Sequence, residues 1–251
     1  MTGIRPRYYA ALPWYLFAQT RAALDAVWGA VATELHACGF NHCPDHLDHG
    51  IPHEELLTIP TLVLGQCCGP DLFLEQAKHI KPVAAPVIAA YNVSKGHYFS
   101  YIVRGREGRL DKPNVVVNSL TSPSGKTALE LWLRKSGVED YSLYLSGSHA
   151  RSVLDLQSGR ADVAAIDALS WQFLDTTGLE ILDQSEPVWA PPFITGRDSH
   201  VPDDLLVAAL NSALERFGEP VGITGALPVT RGAYSKLRFW GMKGCVQSKS
   251  Y

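Results

Sequence analysis

The sequence predicts an α/β protein built as two lobes, each a mainly parallel sheet flanked by helices. Three observations predict it. Apolar runs of strand length alternate with amphipathic stretches at helical spacing, the pattern of parallel strands joined by right-handed crossovers. The chain has 251 residues, enough for one large domain or two lobes of about 100–150 residues each. After a second complete βα series, the tail returns to the first pattern. The first lobe is therefore expected to take residues 1–92 and 190–251, and the second residues 93–189.

Taken in order, residues 7–11 alternate into an apolar run ended by Pro13 and read as a strand. Residues 19–35 follow, with Ala22, Ala23, Ala26, Val27, Ala30 and Val31 forming a helical stripe. A polar loop at 38–53 and a helical turn at 53–57 precede a strand at 61–65, a loop at 66–70, a short helix at 72–78 and a buried run at 82–90. The first connection is placed at 92–96. Residues 98–104 alternate as a strand, 105–108 turn, and Val115, Val116 and Val117 mark a strand covered on both faces. A helix at 126–135 is stopped by Gly137. A strand at 141–145 leads to a helix at 149–158, closed by Gly159 at its C′ position, and to a buried strand at 162–166. Residues 186–192 form a proline-rich connection, and 203–217 a periodic helix with Leu205, Leu206, Ala209, Leu210 and Leu214 on one side.

Composition excludes several classes. With 46% hydrophobic and 19% charged residues the chain is an ordinary globular protein, neither disordered nor fibrous. A net charge of −3 argues against non-specific nucleic-acid binding, yet allows a local anion site made from backbone N–H groups. No stretch approaches the about 18–20 apolar residues that cross a bilayer. The first fifteen residues carry Arg5 and Arg7 without an apolar core, so the chain as written reads as soluble and cytoplasmic. Cys38, Cys43, Cys67, Cys68 and Cys245 form an odd set, read as free thiols rather than a disulfide framework. Dinucleotide, Walker and G-x-S-x-G motifs are missing, and no cofactor is expected.

The segment N-S-L-T-S-P-S-G-K, residues 118–126, carries the strongest chemical signal. Ser122 fits an N-cap and Pro123 the first helical position. The amides of Ser124, Gly125 and Lys126 should then face outward at the positive end of the helix dipole, with the Ser122 and Ser124 hydroxyls adding donors. That suits a phosphate-like anion, although a plain strand-to-helix junction looks the same. Ser146, Gly147, Ser148 and His149 open a second helix on the same sheet edge. There His149 is expected as a neutral imidazole donor, or simply as a packed residue. Asp167 ends a buried strand where open α/β sheets bind ligands, or else caps residues 168–170.

Residues 146–167, S-G-S-H-A-R-S-V-L-D-L-Q-S-G-R-A-D-V-A-A-I-D, resemble the second-lobe signature of the phosphate, phosphite and phosphonate substrate-binding proteins of ABC transporters. A-L-P-W-Y (11–15), G-Q-C-C-G-P (65–70), Tyr98-Phe99-Ser100 and the T-S-P-S-G turn follow in that family's order. The resemblance implies a type II periplasmic-binding-protein fold with a cleft between the lobes. It implies that Ser122, Ser124, Gly125 and His149, with Lys126 and Ser148 beside them, hold a phosphonate-like head. Asp167 would meet an amine or hydroxyl on the ligand's tail, and Tyr15 and Tyr98 would close the cleft. The function implied is a solute-binding protein for a small oxyanion, part of or derived from an ABC uptake system, and not an enzyme. Its partners would be a small anion and an ABC permease, without nucleic acid or membrane insertion, and the family is usually periplasmic or lipid-anchored. Cys67 stands where the family usually has threonine. The alternative is a cytoplasmic enzyme of the same fold resembling chorismate dehydratase, with Asp167 or His149 as general acid or base. A regulator's effector-binding domain is a third reading.

Residues 36–53 hold five of the nine histidines. Cys38, His42, Cys43, His46, His49 and His53 include candidates for a tetrahedral zinc or copper site, or belong to a solvated loop. Among the tryptophans, Trp14 and Trp189 are candidates for ligand stacking, while Trp132 and Trp171 read as core.

Overall fold

The computed structural model describes residues 6–88 and 91–239. Arg5, Trp240, Cys245 and the ends of the 82–90 run and of the 190–251 segment lie outside them. The chain divides into two units, Met1–His97 with Trp189–Ser235 and Tyr98–Val188 with Lys236–Tyr251. Residues 236–239 thus group with the second unit, whereas the sequence reading carries the first lobe to the end of the chain.

In the first unit a five-stranded sheet runs in the order Tyr9–Ala10, Leu62–Gln66, Phe193–Gly196, Ile80–Ile88, Ile223–Pro228. Tyr9–Ala10 pairs parallel to Leu62–Gln66, and Phe193–Gly196 inserts antiparallel between Leu62–Gln66 and Ile80–Ile88. Ile223–Pro228 is also reversed, so three of the five strands run one way. All five residues of Leu62–Gln66 are buried, as an interior strand requires. The helices Arg21–Ala37 and Asp203–Phe217 pack on each other, with Leu24, Val27, Val31 and Leu35 buried on one and Leu206, Leu210, Ala213 and Leu214 buried on the other. Burying one such side chain is worth roughly 1.5–3 kcal/mol. Trp28 Nε1 donates to the Pro44 carbonyl at 3.0 Å and anchors the His-rich loop.

The helix expected at 72–78 is instead two 3₁₀ turns, Gly69–Phe73 and Glu75–His79. Leu74 between them is extended at φ −75°, ψ 149°, which breaks the helical ladder. The Arg231 guanidinium donates to the carbonyls of Leu72 and Ile80 at 2.6 and 2.7 Å, the first of them an acceptor that a continuous helix would have used internally.

In the second unit the strand order is Ser142–Leu145, Asn114–Val117, Val163–Asp167, Ser100–Gly105, Leu179–Gln184. The first three are parallel and Ser100–Gly105 is reversed, so four of the five strands share one direction. Successive valines divide between two cores. Val115 and Val117 pack with Ile102, Leu129 and Leu133, while Val116 packs with Val103, Val153 and Ile166. The period of two along a strand makes this division. It also requires a helix on each face: Ala128–Lys135 on one and His149–Gln157 on the other. Gly137 and Gly159, both at φ 71°, end these helices in the left-handed region that glycine enters without a Cβ penalty. Among the described residues no helix is long and apolar enough to cross a membrane.

Candidate functional site

The anion turn is built by a cap and a glycine. Ser122 is extended at φ −70°, ψ 122°, and its Oγ accepts the Gly125 amide at 3.0 Å. Pro123 then opens a wide π-turn, Pro123–Thr127, in which Ala128 N reaches back to the Pro123 carbonyl before Ala128–Lys135 winds as an α-helix. A Cβ on Gly125 would stand 1.8 Å from Asn118 Oδ1 and 3.3 Å from Ser122 Oγ. Glycine is therefore demanded by Asn118, a contact the sequence reading missed.

The second helix starts beside the first. Ser148 caps it, accepting the Arg151 amide through Oγ at 3.1 Å, and His149 is its first residue. His149 Nε2 lies 3.1 Å from Ser124 Oγ and 3.5 Å from Asp167 Oδ2. Ser122 Oγ is 3.3 Å from Ser124 Oγ. Asp167 Oδ1 accepts the Ser170 amide at 2.9 Å, so the carboxylate caps a short helix and also faces the imidazole. Four expected residues thus form one chain of polar groups, Ser122, Ser124, His149 and Asp167. Burial holds the His149 pKa below its ordinary 6.5 against the opposing influence of Asp167 and the Ala165 backbone. Desolvation is the leading cause and favours the neutral ring.

Other expected residues serve differently. Lys126 is buried and its Nζ pairs with Glu130 Oε1 at 2.7 Å, one helical turn on, so its charge is neutralised locally. The Gly125 amide is occupied by Ser122, which corrects the expectation of three outward-facing amides. Ser148 is exposed, with its hydroxyl committed to the cap. Tyr98 is buried in the second unit. Tyr15 belongs to the first unit and is held at φ 64°, with its carbonyl accepting Thr20 Oγ1 at 2.5 Å. That backbone conformation costs a tyrosine about 1–3 kcal/mol, and the Thr20 bond fixes it.

The His/Cys loop does not form the metal site considered above. Cys38 is exposed, and Cys43 is buried with its thiol pushed up to about 11. His42 Nε2 bonds the Ser199 carbonyl at 2.8 Å, His49 Nε2 meets Asp25 at 2.7 Å, and His53 Nε2 meets Asp71 at 3.0 Å. His46 lines an open concavity with Arg7 and Arg21. Among the described residues no three His, Cys, Asp or Glu side chains gather around one point. The His42, His49 and His53 rings each bond elsewhere, so the set Cys38, His42, Cys43 and His46 is not gathered at one point.

Trp14 packs edge-on to His53 at 4.7 Å, and Trp189 lies 4.3 Å from the His97 ring, both within the first unit. Trp132 and Trp171 pack against the two cores of the second.

Comparison with known proteins places this geometry. Residues 72–231, well over half of the chain, match the family of periplasmic phosphonate substrate-binding proteins of ABC transporters. PhnD1 from Prochlorococcus marinus (MIT 9301), solved with methylphosphonate, is similar at a TM-score of 0.71 and 16% identity, over 94% of this chain and 97% of that one. A binding protein component of an ABC phosphonate transporter from Pseudomonas aeruginosa gives 0.67 at 11% identity, over 98% and 90%. MatC from Rhodopseudomonas palustris, with bound malate, gives 0.63 at 12%, over 96% and 99%. No curated protein matches the sequence. At such identities the structures establish a type II periplasmic-binding-protein fold, and the ligand differs from one to the next. The family match goes further: this chain belongs to the phosphonate periplasmic substrate-binding proteins of ABC transporters.

Proposed function

We propose that this chain is the solute-binding component of an ABC uptake system for a small tetrahedral oxyanion, a phosphonate, phosphite or phosphate. The supporting observation is the 3.1 Å approach of Ser124 Oγ to His149 Nε2, which brings two helix starts to one place. The head group is held by the Ser122 and Ser124 hydroxyls, the neutral His149 ring and the first-turn amides of Ser124 and Lys126. Such donors are fixed in direction and carry no formal charge, so they select by hydrogen-bond geometry. Lys126 contributes its backbone, since Glu130 cancels its cation. Asp167, 3.5 Å from His149, disfavours a second negative charge nearby and meets a proton, amine or hydroxyl of the ligand. Tyr98 adds a contact from the same unit. The protein binds and delivers without turnover, and its partner is a membrane permease.

Isothermal titration with methylphosphonate, phosphite and phosphate tests this reading on the wild type and on His149→Ala. Saturable binding weakened in the variant is expected. No heat and no thermal shift at millimolar ligand would overturn it. Phosphorus NMR of ligand incubated with the protein should show unchanged signals, and a new resonance would make the protein an enzyme.

A further inference from the structure

The strand Leu62–Gln66 ends on a side chain that the first unit does not satisfy. Gln66 is 1% exposed, and its Nε2 has no hydrogen-bond partner among the described residues. Acceptors near the strand end are already taken. The Pro192 carbonyl receives the Cys67 amide at 3.3 Å, and the Ala190 carbonyl receives Tyr234 Oη at 2.9 Å. A buried amide without an acceptor gives up its hydration and recovers nothing, so folded chains keep few such groups without a use for them.

The position of this donor narrows its use. Tyr9–Ala10 and Leu62–Gln66 run parallel, so their carboxyl ends lie along one edge of the sheet, the edge at which open α/β sheets take ligands. A second irregularity belongs to the same edge. Tyr15, on the segment leaving Tyr9–Ala10, is held at φ 64°, a conformation that a non-glycine residue keeps only where its surroundings impose it. Backbone strain and an unpaired donor are independent costs, and both arise where the parallel strands stop. The donor carries no formal charge, in keeping with the hydroxyl and imidazole donors of the second unit.

We propose that Gln66 is a ligand-binding residue of the first unit, its side-chain amide kept unpaired to donate to an oxygen of the bound anion. The assignment rests on the oxyanion reading above.

Gln66→Met, close in size and lacking the amide, tests it on the full chain with methylphosphonate as the probe. Removal of an unsatisfied amide should leave the melting temperature of the free protein unchanged or raise it. Methylphosphonate affinity by calorimetry should nevertheless fall roughly 10- to 150-fold, the effect of one hydrogen bond to a charged group. Nitrogen-edited NMR of the wild type supplies a second reading, which decides the matter if the variant is destabilised. The Gln66 side-chain amide protons should move downfield as methylphosphonate is added. Retained affinity in Gln66→Met, or amide protons that stay in place at saturation, would overturn the Gln66 assignment and leave the oxyanion reading standing. No binding by the wild type would overturn both.

Discussion

Ser124 Oγ and His149 Nε2, separated by 25 positions in the chain, stand 3.1 Å apart at the first turns of two helices on opposite faces of one sheet. Neither helix start alone distinguishes a binding site from an ordinary strand-to-helix junction. Their meeting is the observation on which the proposed head-group site rests, since it brings a hydroxyl and an imidazole to one place.

Removing either partner should therefore weaken the oxyanion, and by more than chance neighbours would. A hydrogen bond to a charged group is worth about 1.5–3 kcal/mol, so Ser124→Ala and His149→Ala should each reduce methylphosphonate affinity roughly 10- to 150-fold. The double variant should fall short of the product of the two, since one head group is being released. Calorimetry of the four-member cycle reads this directly, and strict additivity would mean the two side chains serve different ends.

Gly125→Ala should be among the most damaging small substitutions in the chain. Its Cβ would overlap Asn118 Oδ1 at 1.8 Å and press on the capping Ser122 Oγ. Overpacking of this kind costs about 1–3 kcal/mol. Asn118→Ala in the same chain should recover part of the lost thermal stability by clearing the overlapped atom. Without any recovery, backbone conformation and not Asn118 would be what requires glycine.

Legibility in the sequence followed the range of the interactions involved. Residues 203–217 read correctly to both ends because the apolar stripe is local and sustained. The Ser122 cap was legible for the same reason, and the two helix starts could be placed on one sheet edge from the βα alternation alone. The strands Phe193–Gly196 and Ile223–Pro228 were not, because prolines and glycines at their edges look like connections and only their sheet neighbours make them strands. The Lys126–Glu130 pair was visible at a spacing of four and went unread. The Asn118–Gly125 contact and the scattering of the His-rich loop depend on side-chain directions, which spacing does not carry.

The thiols should separate by burial. Cys38 is exposed and Cys68 half-buried, whereas Cys43 and Cys67 are enclosed. Burial pushes the Cys67 thiol well above its usual range, with Asp71 and Cys68 adding to the shift and Arg231 opposing it. The thiolate is the reactive species. Iodoacetamide at pH 8 should thus label Cys38 first and Cys68 more slowly, and reach Cys43 and Cys67 only on unfolding. Peptide mass mapping would expose a failure if Cys67 reacted at the rate of Cys38.

Two histidines should pull stability in opposite directions with pH. For His149, burial lowers the folded pKa below 6.5. Between that value and 6.5 the unfolded chain binds more protons, so stability is full above about 6.5 and declines as pH falls. For His53, burial opposes the charge but is outweighed by the hydrogen bond and charge of Asp71 at 3.0 Å, with Glu54 adding at 3.6 Å. Its folded pKa is raised, so its contribution is complete below 6.5 and is lost as pH rises through the folded value. Melting temperatures from pH 5 to 8 should show His149→Gln flattening the acid side of the wild-type profile. His53→Gln should cost more at pH 5.5 than at pH 8, because only the protonated ring gains from Asp71. A His53→Gln penalty that grew towards alkaline pH would mean the ring packs against Trp14 as a neutral group and the ion pair contributes nothing.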